Sequence, residues 1–127
     1  MLDHAELDKI VTAWTAAEQA ERGSPEHEAN WWAVSEVMDW SLDGDGDRLW
    51  QFILEAYKRD LSDKAIGVLA AGPLEDLLAK QGVAFIDRIE ELARKDPKFN
   101  HLLGGVWRNF MTDEVWQRVQ SIRNHVW

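Results

Sequence analysis

Apolar residues recur at steps of three and four along most of this sequence, and this helical period constrains the fold more than any other feature. Leu7, Ile10, Val11 and Trp14 begin the pattern. Positions three and four apart share one face of an α-helix, so each such run predicts a helix with one buried side. No run shows the alternation by two that a half-buried strand requires. The sequence therefore predicts an all-α protein.

Capping residues divide this pattern into about seven or eight short helices. Ser24, Ser62 and Thr112 are residue types that favour helix starts. Gly72-Pro73 and Gly82 are expected to end helices, because proline lacks an N–H and glycine favours helix C-termini. Short helices joined by tight turns pack as antiparallel pairs, and those after Ser62 fit the stacking of two helical hairpins.

The net charge of −9 is concentrated in one part of a chain whose length predicts a single domain, residues 1–127. Residues 1–50 carry twelve carboxylates and three basic residues, whereas residues 51–127 carry eleven of each. An acidic surface repels phosphate backbones and anionic lipid, and it attracts basic proteins. We therefore expect a basic protein partner, and binding of neither nucleic acid nor membrane.

Cofactor chemistry finds little support in the composition. The chain has no cysteine, which excludes disulfides, thiol catalysis and cysteine-ligated metals. The first residues lack the basic and apolar regions of a signal peptide, and no apolar run approaches the length of a membrane span. We expect a cytoplasmic protein without a cofactor.

Tryptophan is concentrated in the same acidic part, which holds five of the eight tryptophans. On the second helix, the period predicts a buried side formed by Trp31, Val34, Val37, Met38 and Leu42. An exposed tryptophan beside carboxylates would anchor a partner, because tryptophan is enriched at interface hot spots. The predicted docking surface comprises Trp32, Trp40, Asp39, Asp43, Asp45 and Asp47.

The run from Asp43 to Asp47 places aspartate at alternate positions, as at the start of an EF-hand calcium loop. The match then fails, because Arg48 stands where that loop needs glycine and Leu54 where it needs a bidentate glutamate. A solvated acidic turn is the favoured interpretation.

Two pairs of carboxylates allow a different kind of site. Glu18 and Glu21 lie three residues apart on the first helix, as do Glu36 and Asp39 on the second. If the pairs converge, their oxygens could bind magnesium. This arrangement resembles the metal-binding pattern of the all-α nucleotide pyrophosphohydrolases of the MazG type.

A third set of residues is expected to hold the later helices together. Glu75 and Asp76 lie in the first turn after Pro73, and Trp107 and Arg108 follow a glycine pair that reads as a helix-ending turn. Pairing between the two segments predicts a structural clamp rather than a catalytic site.

Residues 69–120 contain an ordered set of blocks: Leu69–Leu78, Phe85–Glu90, Ala93-Arg94, Asp96–Phe99 and Leu103–Trp107. This set resembles a family of small bacterial proteins whose function is unknown. The resemblance implies a bacterial, mostly helical protein and supplies no activity or ligand. It draws attention to Gly72, Pro73, Glu75, Asp76, Asp87, Gly105 and Trp107.

These observations favour a protein-interaction module without catalytic activity, which binds a basic partner. Small acidic bacterial proteins often neutralise basic toxins, so an immunity or antitoxin role is the sharpest form of this hypothesis. The alternative is the magnesium-dependent nucleotide hydrolase. A third hypothesis is self-association through exposed tryptophan.

Overall fold

Helices are the only regular elements in the computed structural model, which describes residues 2–127. The first two helices, α1 (His4–Gln19) and α2 (Pro25–Asp43), pack along each other. Asp3 and Ser24 cap them by accepting hydrogen bonds from the first-turn amides of Glu6 (2.8 Å) and His27 (3.2 Å). The all-α prediction is confirmed.

The helix α3 (Gly46–Ala56) lies at the centre of the core. Phe52 and Ile53 are fully buried, and the Phe52 ring meets Trp14 of α1 edge-on with centroids 5.3 Å apart. The tight turn before α3 depends on Gly44, whose φ of 74° is one that side-chain-bearing residues rarely adopt. Asp45 then caps α3.

The next helical segment is one long, bent rod, and here one predicted helix end is wrong. Helix α4 (Asp63–Leu69) continues through a π-helical turn (Ala70–Leu74) into α5 (Glu75–Lys95). The π-turn contains Pro73, and its wider winding carries the helix past a residue that an α-helix would not accommodate. The boundary predicted at Gly82 is present as a kink: Gln81 leaves helical geometry (φ −135°, ψ 28°), and a second stretch of helix begins directly after it.

Two short helices, α6 (Pro97–Leu103) and α7 (Asp113–Ile122), pack against α5. Thr112 caps α7 as predicted. Counting α4, the π-turn and α5 as one rod gives six continuous helical segments in residues 2–127, slightly fewer than predicted. The predicted helix ends suggested two stacked helical hairpins. The structure has the bent rod in their place. All the helices contribute to one hydrophobic core.

A buried hydrogen bond ties the end of α3 to the start of α6. The Tyr57 hydroxyl donates to Asp96 Oδ2 at 2.7 Å, and Asp96 also caps α6 by accepting from the Lys98 amide at 3.0 Å. Burial, with help from Asp96, raises the pKa of Tyr57 to about 12. The hydrogen bond from Tyr57 lowers the pKa of Asp96.

Residues 123–127 fold back over α6 and rest on Gly104 and Gly105. The Trp127 backbone amide donates to Gly104 O at 3.1 Å, and its indole donates to His101 O at 2.9 Å. A Cβ at Gly105 would lie 2.4 Å from the Trp127 ring. Helix α6 ends at this pair as predicted. Neither glycine has a positive φ, so the close approach of Trp127, rather than a left-handed backbone, explains why glycine stands here.

Candidate functional site

A mainly apolar groove lies between α2 and the rod formed by α4, the π-turn and α5. It has a volume of about 360 Å³ and is open to solvent along one side. Its floor comes from α1 and includes the fully buried Trp14. We refer to it as the α2 groove.

Apolar side chains form most of both walls. On the α2 side, Val34 and Val37 lie deep, and Trp31 and Met38 form the rim. The opposite wall is formed mainly by Val68 of α4 and by the π-turn, with Gly72 and Pro73. Gly72 has nothing within 4 Å of where a Cβ would stand, so its lack of a side chain keeps this wall open.

One end of the groove carries a mixed set of charged groups. Glu18 and Arg22 come from the end of α1 and the turn after it, His27 from α2 and Lys64 from α4. Burial raises the pKa of the Glu18 carboxyl, opposed by the positive charges of Lys64 and of His27 when protonated. The His27 ring also packs against Trp31 in a tilted arrangement, with ring centroids 5.2 Å apart.

At the other end of the groove, the polar groups form hydrogen bonds with one another. The Ser41 hydroxyl donates to Asp76 Oδ2 at 2.8 Å, and Lys80 Nζ donates to the Ser41 carbonyl at 3.1 Å. These bonds join α2 to α5 and close the groove at that end. Asp76, one of the residues that the sequence placed in a clamp, thus pairs with α2 rather than with Trp107 or Arg108.

The exposed side of α2 differs from the prediction in a way that matters for the groove. Trp31, Met38 and Leu42, which were expected in the core, have 43%, 51% and 73% of their surface exposed. They lie seven and four residues apart, so they form one continuous line along the helix. We call this line the apolar stripe, and its first two members form the rim of the groove.

The buried side of α2 lies elsewhere and includes a residue predicted to dock a partner. Trp40 is only 5% exposed and packs against Phe52 at 6.4 Å, so it is a core residue and offers no anchor. It shares its face with Ala33 and Val37. Trp32 is 43% exposed, but it lies away from the groove beneath Lys9, whose Nζ is 5.6 Å from its ring centre.

A second line of α2 side chains is acidic and lies about a quarter of a turn from the apolar stripe. Within residues 2–127, the carboxylates of Glu36, Asp39 and Asp43 form no ion pair or hydrogen bond with other side chains. We call the exposed residues Glu28, Glu36, Asp39 and Asp43 the acidic stripe.

In the acidic turn that follows α2, one carboxylate is exposed to solvent and another is bound within the protein. Asp47 is exposed at the start of α3, whereas Asp45 caps α3 by accepting from the Arg48 amide and forms an ion pair with the Arg48 guanidinium at 3.1 Å. Gln81 binds the same turn from α5, donating to Gly44 O at 2.8 Å.

The four carboxylates of the alternative magnesium site are not brought together. Glu18 faces the α2 groove, while Glu21, Glu36 and Asp39 are exposed. In the part of the chain that the structure describes, no three His, Asp or Glu side chains are placed to hold one metal ion. The geometry on which the hydrolase hypothesis depended is therefore missing.

The clamp predicted between Glu75 and the segment after Gly104-Gly105 does form, and it uses the backbone of Trp107 rather than its side chain. Glu75 accepts from the Trp107 amide at 2.8 Å and from the Asn109 side chain at 3.2 Å. Arg108 does not join it and pairs with Asp113 instead.

Asp87 belongs to a separate ion-pair cluster. The Arg118 guanidinium lies 2.7 Å from Asp87 and 2.6 Å from Glu90, and these two bonds raise the pKa of Arg118. Asp87 thereby helps fix α7 against α5, which is a structural role.

Comparison with known proteins assigns the chain to a family but supplies no activity. No helix in residues 2–127 has both the length and the apolar character needed to cross a bilayer. No curated protein and no solved structure matches the chain. One family model matches residues 20–126. The match contains residues 69–120, where the sequence shows a family resemblance, and it also covers α2, α3 and most of the acidic part. The chain belongs to this family, described as Family of unknown function (DUF6869).

Proposed function

We propose that this protein is a non-catalytic interaction module that binds a basic partner protein through the exposed side of α2. The observation that carries the proposal is the pairing of two lines on one helix: an apolar stripe open to solvent, and an acidic stripe in which Glu36, Asp39 and Asp43 form no ion pair within residues 2–127. Contiguous exposed apolar surface beside polar residues is typical of protein-binding sites. The excess negative charge of residues 1–50 would steer a basic partner toward this side.

Inhibition of a basic enzyme is the sharpest form of the proposal. A protein that binds nucleic acid must present a basic surface, and an acidic module that covers this surface would block it. We place this activity in the bacterial cytoplasm, as an immunity or antitoxin type of function. Binding to nucleic acid or to membrane is not part of the proposal.

The test begins with capture of the partner at low salt, followed by purification of the captured protein and measurement of association rates. We expect the association rate to fall on the order of tenfold or more between low and high ionic strength. Replacing Glu36, Asp39 and Asp43 by lysine should lower the rate strongly. The matched control replaces Asp60, Asp63 and Glu114, which are exposed outside α2, and makes the same change in net charge.

Two results would count against the proposal. An association rate that does not depend on salt would remove the electrostatic argument. Equal losses in the α2 variant and in the control would show that net charge, rather than the surface of α2, determines binding. A captured enzyme that keeps its activity in the complex would remove the inhibitor form alone.

A further inference from the structure

We infer that the α2 groove binds one amphipathic, basic helix of the partner, with its apolar side in the groove and its basic side chains over the acidic stripe. This inference rests on the proposed function and specifies the element that docks. Its starting point is that the groove is apolar, open and about 360 Å³ in volume.

The shape of the groove favours a helix over an extended segment. Both walls are helices, and grooves between helices accept the side-chain ridges of a third helix. Residues 2–127 contain no strand, so they offer no sheet edge with which an extended peptide could pair. A chain entering an apolar groove must satisfy its own backbone hydrogen bonds, which a helix does.

The lining residues of α2 set the length of the contact. Trp31 and Ser41 line the groove and lie ten residues apart on α2. At the helical rise this span is ~15 Å, which matches about three turns of a docked helix. The partner would need apolar residues at helical spacing over those turns, as in other helix-in-groove complexes.

The carboxylates along the solvent side of α2 favour a basic helix, whereas the cations Arg22 and Lys64 are confined to the end of the groove beside α1. Asp39 and Glu28 lie just beyond the apolar stripe on the solvent side of α2. Long lysine and arginine side chains can lie across apolar surface while their charged ends reach such carboxylates. An acidic helix would place its own carboxylates against this stripe, and repulsion would disfavour it. A second copy of this chain is disfavoured for the same reason, because residues 1–50 of each copy carry the excess negative charge.

The binding probe is a helical peptide of about 18 residues with leucine on one face and lysine on the other. Two comparison peptides share its length: one in which leucine and lysine strictly alternate, and one in which glutamate replaces lysine. Calorimetry gives affinity and stoichiometry. Nuclear magnetic resonance follows the indole signals of Trp31 at the groove rim and of Trp107, which is exposed and does not line the groove. We expect one helical Leu/Lys peptide to bind, with a shift at Trp31 and none at Trp107.

Two glycines supply a matched pair of blocking variants. A side chain at Gly72 or at Gly67 would start in open space, but only Gly72 lines the groove. We expect Gly72→Phe to weaken binding of the Leu/Lys peptide at least tenfold, and Gly67→Phe to change it less than twofold. If Gly72→Phe fails to fold, Met38→Ser at the exposed rim replaces it, with Val83→Ser on α5 as its control.

Several results would overturn the inference. These are equal affinity for the alternating or the glutamate peptide, a shift confined to Trp107, or binding unaffected by both groove variants. Dimerisation that Gly72→Phe abolishes would show a second copy as the occupant instead. The native partner separates the two proposals: sensitivity to reversal of the acidic stripe but not to Gly72→Phe would keep the proposed function and reject the docked helix.

Discussion

The contact between Trp127 and the glycine pair leads to a quantitative prediction about stability. In Gly105→Ala, the new methyl group would stand 2.4 Å from the indole of Trp127, so the ring must leave its place. The Gly105 backbone itself is acceptable for alanine, because its φ is not positive. The cost of the substitution should therefore equal the net stabilisation that the folded-back segment provides.

That stabilisation can be estimated from the contacts. Trp127 is 47% exposed, so about half of its side chain is covered. Covering ~100 Å² of apolar surface contributes about 2.5 kcal/mol, and the two hydrogen bonds of Trp127 contribute about 1 kcal/mol each. Ordering residues 125–127 costs about 3 to 4 kcal/mol, since Arg123 and Asn124 are held by hydrogen bonds of their own. The difference predicts a loss of roughly 1 kcal/mol in the free energy of unfolding for Gly105→Ala.

A double-mutant cycle with Trp127→Ala tests this reasoning. Each single variant should lose about 1 kcal/mol, and Gly105→Ala should cost almost nothing once the indole is gone. Urea unfolding followed by circular dichroism measures each value. If Gly105→Ala costs the same in both backgrounds, or more than about 3 kcal/mol, then the glycine serves the backbone at the end of α6 and the argument from Trp127 is wrong.

Two further predictions follow from titratable groups. Tyr57→Phe should cost about 1 kcal/mol at neutral pH by removing the bond to Asp96. The pKa of Tyr57 is raised from 10.0 to about 12, so its contribution is present below pH 10 and lost as pH rises toward 12. Urea midpoints in this range should fall for the wild type relative to the variant; parallel curves would contradict the assignment. Burial also raises the pKa of Glu18, so this carboxyl favours folding most when protonated. Glu18→Gln should therefore be more stable than the wild type at pH 8, with the difference shrinking toward pH 4; a variant less stable at pH 8 would show that Lys64 outweighs burial.

Local sequence rules predicted helix starts well. Ser24, Ser62 and Thr112 cap helices as expected, because a cap depends on a hydrogen bond within one turn. The boundary at Gly82 is present as the kink at Gln81. Pro73 did not end a helix, because the π-turn absorbed the proline.

The candidate site was only partly accessible to sequence reasoning. Exposure of Asp39, Asp43 and Asp47 agrees with the predicted acidic surface. The period of α2 also contained the information that Trp40 shares a face with Val37, while Trp31 aligns with Met38 and Leu42. Which of these faces meets the core depends on where α1 and α3 pack. The groove lies between α2 and the rod, which are separated in sequence by the whole of α3, so no local pattern could show it.

The π-turn has a consequence for how the chain can change length. In an α-helix, removing one residue rotates everything beyond it by about 100° and would turn the buried side of α5 toward solvent. A π-turn already contains one residue more than an α-turn. Loss of a residue between Ala70 and Leu74 could therefore be absorbed by reverting to α-winding, with the inward-facing residues of α5 still in register. The wall of the α2 groove is thus the place where this rod can lose a residue while the buried side of α5 keeps its register.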